Sequence, residues 1–214
     1  MSEENKSLMQ QLNHAIIKGD QNLSVQLAQQ LSSQGVENEE ILSDGIEPAI
    51  NSLDNKCTAE NFNLLEIMLA GRAVTSVIKT LFKNSETPEK GKATIVLATL
   101  EGDVHDLGKN IVKMVMTAKG FRVIDCGKNT ILKDVIDKVE QEKAIAVGIS
   151  GLITSIVPLV KEVKNMLELR GLGNVKVVAG GAALKQATKE LLKVDYIGDT
   201  AFDCSHYVES ILPA

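Results

Sequence analysis

Short apolar runs alternate with amphipathic stretches through the second half of the chain, and this alternation constrains the fold more than any other feature. The apolar runs, each typical of a buried strand, are 93–100, 121–126, 145–150, 175–180 and the weaker 195–198. Amphipathic stretches typical of helices follow at 107–118, 131–141, 156–170, 182–193 and 202–212. Strands and helices that alternate in this way form a parallel sheet covered on both faces. The pattern predicts a Rossmann-like (flavodoxin-like) α/β domain with a five-stranded parallel sheet.

The first half of the chain has a helical pattern throughout. A first helix carries the stripe Leu8, Leu12 and Ile16, and Gly19 ends it. Three further segments follow: a helix from Asp20 to Gly35, one over 39–53, and a long one from an N-cap at Thr58 to Phe82. Four helices joined by short turns predict an antiparallel four-helix bundle. A turn-rich stretch separates the two patterns, so we expect a helical cap domain at 1–83, a linker at 84–92 and the α/β domain at 93–214.

Charge and composition argue against several classes of function. Residues 1–92 carry 13 acidic and 8 basic side chains, and residues 93–214 carry 15 of each, so neither half has the basic excess that binds nucleic acid. Aromatic residues make up only 3% of the chain, which leaves few rings to stack on bases. No apolar run approaches the roughly 18 residues of a membrane span, and the N-terminus lacks the apolar core of a signal peptide. We therefore expect a cytoplasmic protein with no nucleic-acid and no membrane partner.

The cysteines and two of the histidines show no catalytic arrangement. Cys57, Cys126 and Cys204 lie too far apart in sequence for a metal knuckle or a redox pair, so reduced thiols are expected. His14 falls in the helical half and His206 near the C-terminus, and neither is beside a nucleophile. Both are typical surface residues, and the chain predicts no catalytic residue of its own.

The loop after the first predicted strand, residues 101–110, admits three interpretations. A phosphate-binding P-loop is the first, but five residues separate Gly102 from Gly108 where that motif has four, and Asn110 replaces its Ser or Thr. A plain strand-to-helix turn capped by Asp106 is the second. In the third, His105 is a metal ligand at the carboxyl end of the strand.

The third interpretation rests on the spacing of two side chains. Asp103 precedes His105 by two residues and so lies on the same side of an extended segment. It can accept a hydrogen bond from one imidazole nitrogen while the other nitrogen binds a metal. No further cluster of ligands accompanies the pair, which argues against a zinc or iron site. The pair suits a metal that brings its own equatorial ligands and needs one axial bond.

Small and hydroxyl-bearing residues follow the third and fourth predicted strands. Ser150, Leu152 and Thr154 follow the third, and Gly180 and Gly181 follow the fourth. Each group alone is typical of a plain turn. Together, at successive strand ends, they outline one elongated slot that a bulky ligand can enter.

These segments together resemble the signature of the cobalamin-binding domain of corrinoid proteins and methionine synthase. The chain has Asp103-x-His105-x-x-Gly108, then 41 residues, Ser150-x-Leu152, then 27 residues, and Gly180-Gly181. The match covers residues 93 to about 201. The helical half resembles, more loosely, the cap module that precedes this domain in methyl-carrying corrinoid proteins.

The resemblance implies that the chain binds cobalamin or a related cobamide, with His105 as the lower ligand of cobalt and Asp103 bonded to its other nitrogen. It implies the following cofactor-binding residues: Gly102, Asp103, Val104, His105, Asp106, Leu107, Gly108, Ser150, Leu152, Thr154, Gly180, Gly181 and Thr200, with Phe62 and Leu65 of the cap over the upper face. One position departs from methionine synthase, because Ile156 replaces the hydroxyl that completes a relay from the aspartate. Thr154 or Ser155 is the expected substitute.

The resemblance also implies a non-catalytic methyl carrier of C1 metabolism. Its expected partners are a substrate-specific methyltransferase, a second methyltransferase directed at tetrahydrofolate or a thiol, and a reductive activator. Two alternatives stay open: the small subunit of an adenosylcobalamin mutase, and a cobalamin-sensing regulator. The acidic balance of residues 1–92 does not favour the DNA-reading module that a regulator needs.

Overall fold

The computed structural model describes residues 2–56, 64–82 and 91–212. The chain divides into two compact units, Met1–Lys92 with Met114–Arg122, and Ala93–Lys113 with Val123–Ala214. The division into 1–83, 84–92 and 93–214 stays a prediction. In the described ranges, no helix has the length and apolarity needed to cross a bilayer.

The first unit is helical. Its described helices are α1 (Glu3–Ile17), α2 (Gln21–Ser33), α3 (Asn38–Glu40), α4 (Glu47–Lys56) and α5 (Leu64–Leu81). Asp20 caps α2 as predicted, because its carboxylate accepts a hydrogen bond from the N–H of Leu23 at 3.0 Å. The predicted N-cap Thr58 lies outside the described residues.

A π-helical segment, Ile41–Ile46, interrupts the helix that the sequence predicts over 39–53. The buried Ile41 and Ile46 are five residues apart, which is the hydrogen-bond spacing of a π-helix rather than an α-helix. At Gly45 an added Cβ would lie 2.7 Å from Met9 Sδ and 2.9 Å from Leu12 Cδ2. The missing side chain therefore lets α1 pack directly against this segment.

The predicted α/β domain corresponds to the second unit, except that Met114–Arg122, which includes the end of its first helix and the first residue of its second strand, falls in the first unit. Its strands are β1 (Thr94–Thr99), β2 (Arg122–Asp125), β3 (Ala146–Ser150), β4 (Lys176–Gly180) and β5 (Tyr196–Gly198), and its helices are α6 (Leu107–Ala118), α7 (Leu132–Gln141), α8 (Val157–Leu169), α9 (Lys189–Leu192) and α10 (Ala201–Ser210). The five strands form one sheet in the order β2-β1-β3-β4-β5, with the parallel pairing that was predicted. This is the flavodoxin-like order, whose ligand crevice lies between β1 and β3 at their carboxyl ends.

The segment 182–193 differs from the single helix that its amphipathic pattern predicts. A 3₁₀ turn, Leu184–Gln186, comes first, and the backbone at Ala187 is then extended. Thr188 begins α9 by accepting a hydrogen bond from the N–H of Leu191 at 3.2 Å. The capping hydroxyl competes with a continuous helix and divides the segment in two.

One apolar cluster of the α/β domain lies on the face of the sheet covered by α7 and α8. Strand residues that contribute to it are Val96, Ala98, Val147, Ile149, Val177 and Ala179, and they pack with apolar residues of α7 and α8. Because side chains alternate along a strand, the intervening residues face the other side. At the carboxyl ends those intervening residues are Thr99, Ser150, Gly180 and Gly198, which form one register row across four strands.

Candidate functional site

The loop after β1 is bent sharply at its start. Gly102 has a φ of +92°, a left-handed conformation that glycine adopts without strain. The N–H of Asp103 then donates to the carbonyl of Leu100 at 3.1 Å and closes the turn. The bend turns the Asp103 side chain into the protein, where it is fully buried.

Asp103 joins the loops after β1 and β3. Its Oδ1 accepts a hydrogen bond from the N–H of His105 at 2.9 Å and lies 2.7 Å from His105 Nδ1. Its Oδ2 accepts from the N–H of Leu152 at 2.7 Å and from that of Ile153 at 3.4 Å. One carboxylate therefore ties the predicted Asp-x-His and Ser-x-Leu segments together at the point where the strand order reverses.

These hydrogen bonds keep Asp103 ionised. Burial alone would raise the pKa of its carboxyl group, but the N–H groups of His105 and Leu152, followed by the imidazole and Ile153, outweigh burial and lower the pKa below its ordinary value. An ionised carboxylate can only accept hydrogen bonds. Nδ1 of His105 must therefore carry the proton in the 2.7 Å contact.

His105 is held at one nitrogen and open at the other. With the proton on Nδ1, the neutral imidazole has its lone pair on Nε2. The side chain is 51% exposed, whereas that of Asp103 is 0% exposed. This arrangement of a buried carboxylate and a half-exposed imidazole is the one that orients histidine ligands in metal sites.

Neighbouring residues of the loop are exposed, and most are apolar. Val104, Leu107 and Leu152 have exposed fractions of 55%, 48% and 48%. Asp106 does not cap α6 through its side chain in any described bond; its carbonyl accepts from Asn110 N–H. Exposed apolar side chains therefore occur in the loop that carries His105 and at Leu152, whose N–H binds Asp103.

Ser150 and the glycine pair lie where the sequence places them, at the ends of β3 and β4. An added Cβ on Gly108 would lie 3.6 Å from Ser150 Oγ, so Ser150 faces the start of α6. Gly181 has a φ of +98°, and a Cβ there would overlap the carbonyl oxygen of Gly151. The N–H of Gly151 donates to the carbonyl of Gly180 at 2.9 Å, which brings the two loops into main-chain contact.

In the described part of the chain, no hydrogen bond joins the remaining predicted cofactor-binding residues to Asp103 or His105. Thr154 begins a 3₁₀ turn and is exposed. The Thr200 hydroxyl accepts from Asp203 N–H at 3.1 Å as the N-cap of α10, so it has a structural bond at the end of β5. Leu65, in α5 of the helical unit, is 65% exposed. Phe62 lies outside the described residues.

Main-chain N–H groups bind Asp103 where the sequence predicts a hydroxyl. Ile156 is fully buried and carries no polar atom in its side chain. The hydrogen bonds that reach Asp103 Oδ2 come from the N–H groups of Leu152 and Ile153 rather than from Thr154 or Ser155.

Two residues of this site were missed by sequence reasoning. Thr99, at the end of β1, is fully buried, and its Oγ1 lacks a hydrogen-bond partner among the described residues. Asn129, in the loop after β2, accepts a hydrogen bond from the N–H of Gly102 at 2.8 Å. A hydroxyl that ends an otherwise apolar strand was the available signal for Thr99; Asn129 resembled an ordinary turn residue.

The residues present fit a cobamide. His105 offers one nitrogen that is not bound to Asp103, and in the described part of the chain no group of three or more His, Cys, Asp or Glu side chains is arranged around a metal. The row from Thr99 to Gly180 has few side-chain atoms and contains a buried hydroxyl that has no hydrogen-bond partner among the described residues. An unpaired buried hydroxyl costs free energy, which a polar ligand group placed beside it would recover.

Comparisons with known proteins agree with this fit. A family model described as a B12 binding domain matches residues 93–209, and a second model of the same description matches residues 8–81. Dimethylamine corrinoid protein 1 of Methanosarcina mazei is 30% identical over 210 residues, which are 97% of each chain. Trimethylamine corrinoid protein 1 of Methanosarcina acetivorans is 25% identical over 92% of this chain and 94% of its own.

Solved structures extend the likeness to the fold. The methanol:cobalamin methyltransferase complex MtaBC of Methanosarcina barkeri matches with a TM-score of 0.82 and 26% identity, over 96% of this chain and 80% of that one. A cobalamin-binding protein of Desulfitobacterium hafniense shares the fold, with a TM-score of 0.73 and 23% identity over 96% and 97% of the two chains. The chain belongs to the corrinoid proteins of methyltransferase systems, and it binds a cobamide through a B12 binding domain.

Proposed function

We propose that this chain is a methyl carrier that binds its cobamide with His105 as the lower axial ligand. The observation that carries the proposal is the 2.7 Å contact between His105 Nδ1 and the buried carboxylate of Asp103. The contact fixes the tautomer, so the lone pair of Nε2 points away from Asp103 and is available to cobalt. A carboxylate partner also raises the basicity of a metal-bound imidazole.

The cofactor-binding residues divide by role. Val104, Leu107 and Leu152 are apolar and exposed, and they would cover the lower face of the corrin ring around His105. We also propose Leu65 and Phe62 as residues of the upper face. For Leu65 the support is its exposed apolar side chain. Phe62 rests on the resemblance alone.

Smaller residues would receive the nucleotide portion of the cobamide. We assign Ser150, Gly180, Gly181 and Thr200 to this role, with Thr154 at the entrance, and we add Thr99 because its buried hydroxyl has no partner among the described residues. Gly102, Asp106 and Gly108 shape the loop that presents His105. When bound, the cobamide supplies a cobalt centre that accepts and releases a methyl group.

The proposed partners are separate enzymes because the two described cysteines are poor nucleophiles. Burial raises the pKa of the Cys126 thiol to about 11 and that of the Cys204 thiol to about 12, so neither is a nucleophile near neutral pH. We propose a substrate-specific methyltransferase as donor partner, a tetrahydrofolate- or thiol-directed methyltransferase as acceptor partner, and a reductive activator, all in the cytoplasm. Relatives named for dimethylamine and trimethylamine make methylamines the first donors to test.

Reconstitution tests the ligand assignment. The full chain is incubated with methylcobalamin, excess cofactor is removed, and the visible spectrum of the complex is recorded. We expect the spectrum of a nitrogen-ligated cobamide for the wild type and for His206→Ala, which removes an exposed imidazole of α10. His105→Ala should give the spectrum of a cobamide without a lower nitrogen ligand. An unchanged spectrum in His105→Ala would contradict the assignment.

A second experiment tests the carrier role. The chain loaded with methylcobalamin is mixed with a purified thiol- or tetrahydrofolate-directed corrinoid methyltransferase, and loss of the methyl-cobamide absorbance is followed together with the methylated product. Transfer that needs both proteins supports the carrier function. If transfer occurs with neither class of acceptor enzyme while a mutase large subunit becomes active with the adenosylcobalamin-loaded chain, the carrier proposal fails.

A further inference from the structure

The loop after β2 is hydrogen-bonded to three consecutive residues of the loop that carries His105. Asn129 Oδ1 accepts from the N–H of Gly102 at 2.8 Å, and its N–H donates to the carbonyl of Asp103 at 3.0 Å. The N–H of Glu101 donates to the carbonyl of Thr130 at 2.9 Å. The backbone on both sides of the sharp bend at Gly102 is thus held by one neighbouring residue, Asn129.

The backbone of Asn129 has an unfavourable conformation at this position. Its φ is +54°, in the left-handed region that side-chain-bearing residues seldom adopt, and asparagine tolerates that region better than most. The left-handed turn lets the side-chain oxygen and the main-chain N–H of Asn129 bond to adjacent residues, Gly102 and Asp103. Residues in such conformations persist where the surrounding structure requires them.

The loop after β2 is itself anchored, so Asn129 is attached to a fixed support. Asp125 is ion-paired with the buried Lys109 of α6, and it accepts a hydrogen bond from the N–H of Gly127 at 2.9 Å. Thr130 Oγ1 donates to the carbonyl of Cys126 at 2.9 Å and closes the loop on itself. Strand β2 and helix α6 therefore both position this loop.

We propose that Asn129 is a positioning residue for His105. It fixes the backbone of Gly102 and Asp103, and Asp103 in turn fixes the imidazole through two hydrogen bonds, to the main-chain N–H and to Nδ1. A metal ligand must be held within about 0.5 Å of its bonding geometry to bind well. The inference rests on the proposed function, because it presupposes that His105 ligates cobalt.

The test separates the hydrogen bond from the backbone conformation. Asn129→Gly keeps the left-handed backbone and removes the side-chain acceptor, and Asn129→Asp restores an acceptor oxygen. Lys143→Gly is the matched control, because Lys143 has a φ of +51° and is exposed in the turn before β3. Each full-length variant is labelled with ¹⁵N-histidine and reconstituted with cobalamin. The fraction of cobalt(II) bound to a histidine nitrogen is then read from the nitrogen splitting of the electron paramagnetic resonance spectrum.

We expect Asn129→Gly to lower the ratio of histidine-ligated to unligated cofactor by about 2- to 10-fold, the effect of one lost hydrogen bond. Asn129→Asp should restore the ratio, and Lys143→Gly should leave it unchanged, with similar melting temperatures for both glycine variants. Equal ratios in the wild type and Asn129→Gly, or equal losses in Asn129→Gly and Lys143→Gly, would overturn the positioning role alone. Absence of histidine splitting in the wild type would overturn the proposed function and this inference with it.

Discussion

Two aspartates at opposite ends of the sheet have different partners for their negative charge. Asp195, at the amino end of β5, accepts hydrogen bonds from Lys164 Nζ at 3.0 Å and from the N–H of Val177 at 2.7 Å, and Lys176 Nζ lies 3.8 Å away. Asp103, beyond the carboxyl end of β1, is bound by main-chain N–H groups and an imidazole.

The comparison separates a structural site from a functional one. The lysines at Asp195 complete an ion pair that joins β4, β5 and α8. At Asp103 the imidazole takes the place of a lysine, and one of its nitrogens remains for an external ligand. In our proposal, the pairing of a buried carboxylate with a half-exposed histidine distinguishes the end of the sheet that binds the cofactor from the end where Asp195 lies.

The largest effect on stability is expected when the carboxylate of Asp103 is removed, and a smaller one when that of Asp195 is removed. Asp103→Ala removes a buried carboxylate and leaves the N–H groups of Leu152 and His105 without their acceptor, and we expect a loss of about 3–5 kcal/mol in the free energy of unfolding. Asp195→Ala should cost about 1–3 kcal/mol, because part of that site reaches solvent. Urea denaturation measures both values. Histidine ligation of cobalt should be lost only in Asp103→Ala, and its survival there would contradict the assigned role of Asp103.

The contact between the loops after β3 and β4 should show the next largest effect. Gly181→Ala places a Cβ against the Gly151 carbonyl and strains a left-handed backbone, and we expect a loss of about 2–4 kcal/mol. Gly171→Ala is the control, because its φ is +72° and no atom lies within 4 Å of the added Cβ, so about 1 kcal/mol is expected.

Weaker cobamide binding should accompany Gly181→Ala alone, since Gly151 precedes Leu152, a partner of Asp103. Binding is measured by titration of the apoprotein with hydroxocobalamin. Equal affinities for the two alanine variants would contradict a role for this contact in shaping the site.

The ion pairs of Asp195 should make the stability of the protein depend on pH. Burial opposes ionisation of Asp195, but the N–H of Val177 and then Lys164 and Lys176 outweigh it, so the pKa of Asp195 lies below its ordinary value. A lowered pKa in the folded state stabilises the protein above the unfolded pKa of about 3.9, and this stabilisation is lost as the pH falls through the folded pKa.

The difference in unfolding free energy between the wild type and Asp195→Asn should therefore be about 1–2 kcal/mol at neutral pH and should shrink below about pH 4. Denaturant titrations at neutral and acidic pH measure it. Asp199→Asn is the control, because that side chain is 82% exposed, and a difference under about 0.5 kcal/mol is expected at either pH. A difference for Asp195→Asn that grows as the pH falls would contradict the ion-pair account.

The smallest effect is expected at Thr99. Thr99→Val removes a buried hydroxyl that has no partner among the described residues, so the apoprotein should be equally stable or gain up to about 1 kcal/mol. Cobamide affinity should fall by about 2- to 10-fold if the hydroxyl meets the ligand. Thermal unfolding and cofactor titration on one preparation measure both. Unchanged affinity would remove Thr99 from the cofactor site.

Side-chain patterns explain why the fold could be predicted. Each run such as 145–150 is apolar on both faces, as buried parallel strands are, and β3 (Ala146–Ser150) follows it closely. The contact of Asp103 with His105 was predictable for a related reason, since the two-residue spacing limits where both side chains can lie.

Main-chain groups explain what could not be predicted. The N–H groups of Leu152 and Ile153 bind Asp103 whatever their side chains are, so a search for a hydroxyl near Ile156 could not find them. Asn129 acts through a left-handed backbone and a contact across 27 residues, and a single sequence does not reveal either property. The π-helical segment at Ile41–Ile46 depends on close packing at Gly45, which apolar spacing only hints at.

The most direct test of the lower ligand is the electron paramagnetic resonance spectrum of the cobalt(II) form of the reconstituted full chain, prepared once with natural and once with ¹⁵N-labelled histidine. If His105 binds cobalt, each line is split into a triplet by ¹⁴N in unlabelled protein and into a doublet by ¹⁵N in labelled protein, and the doublet disappears in His105→Ala. The same triplet in both preparations would show that the cobamide's own base binds cobalt, and the account of His105 would be wrong.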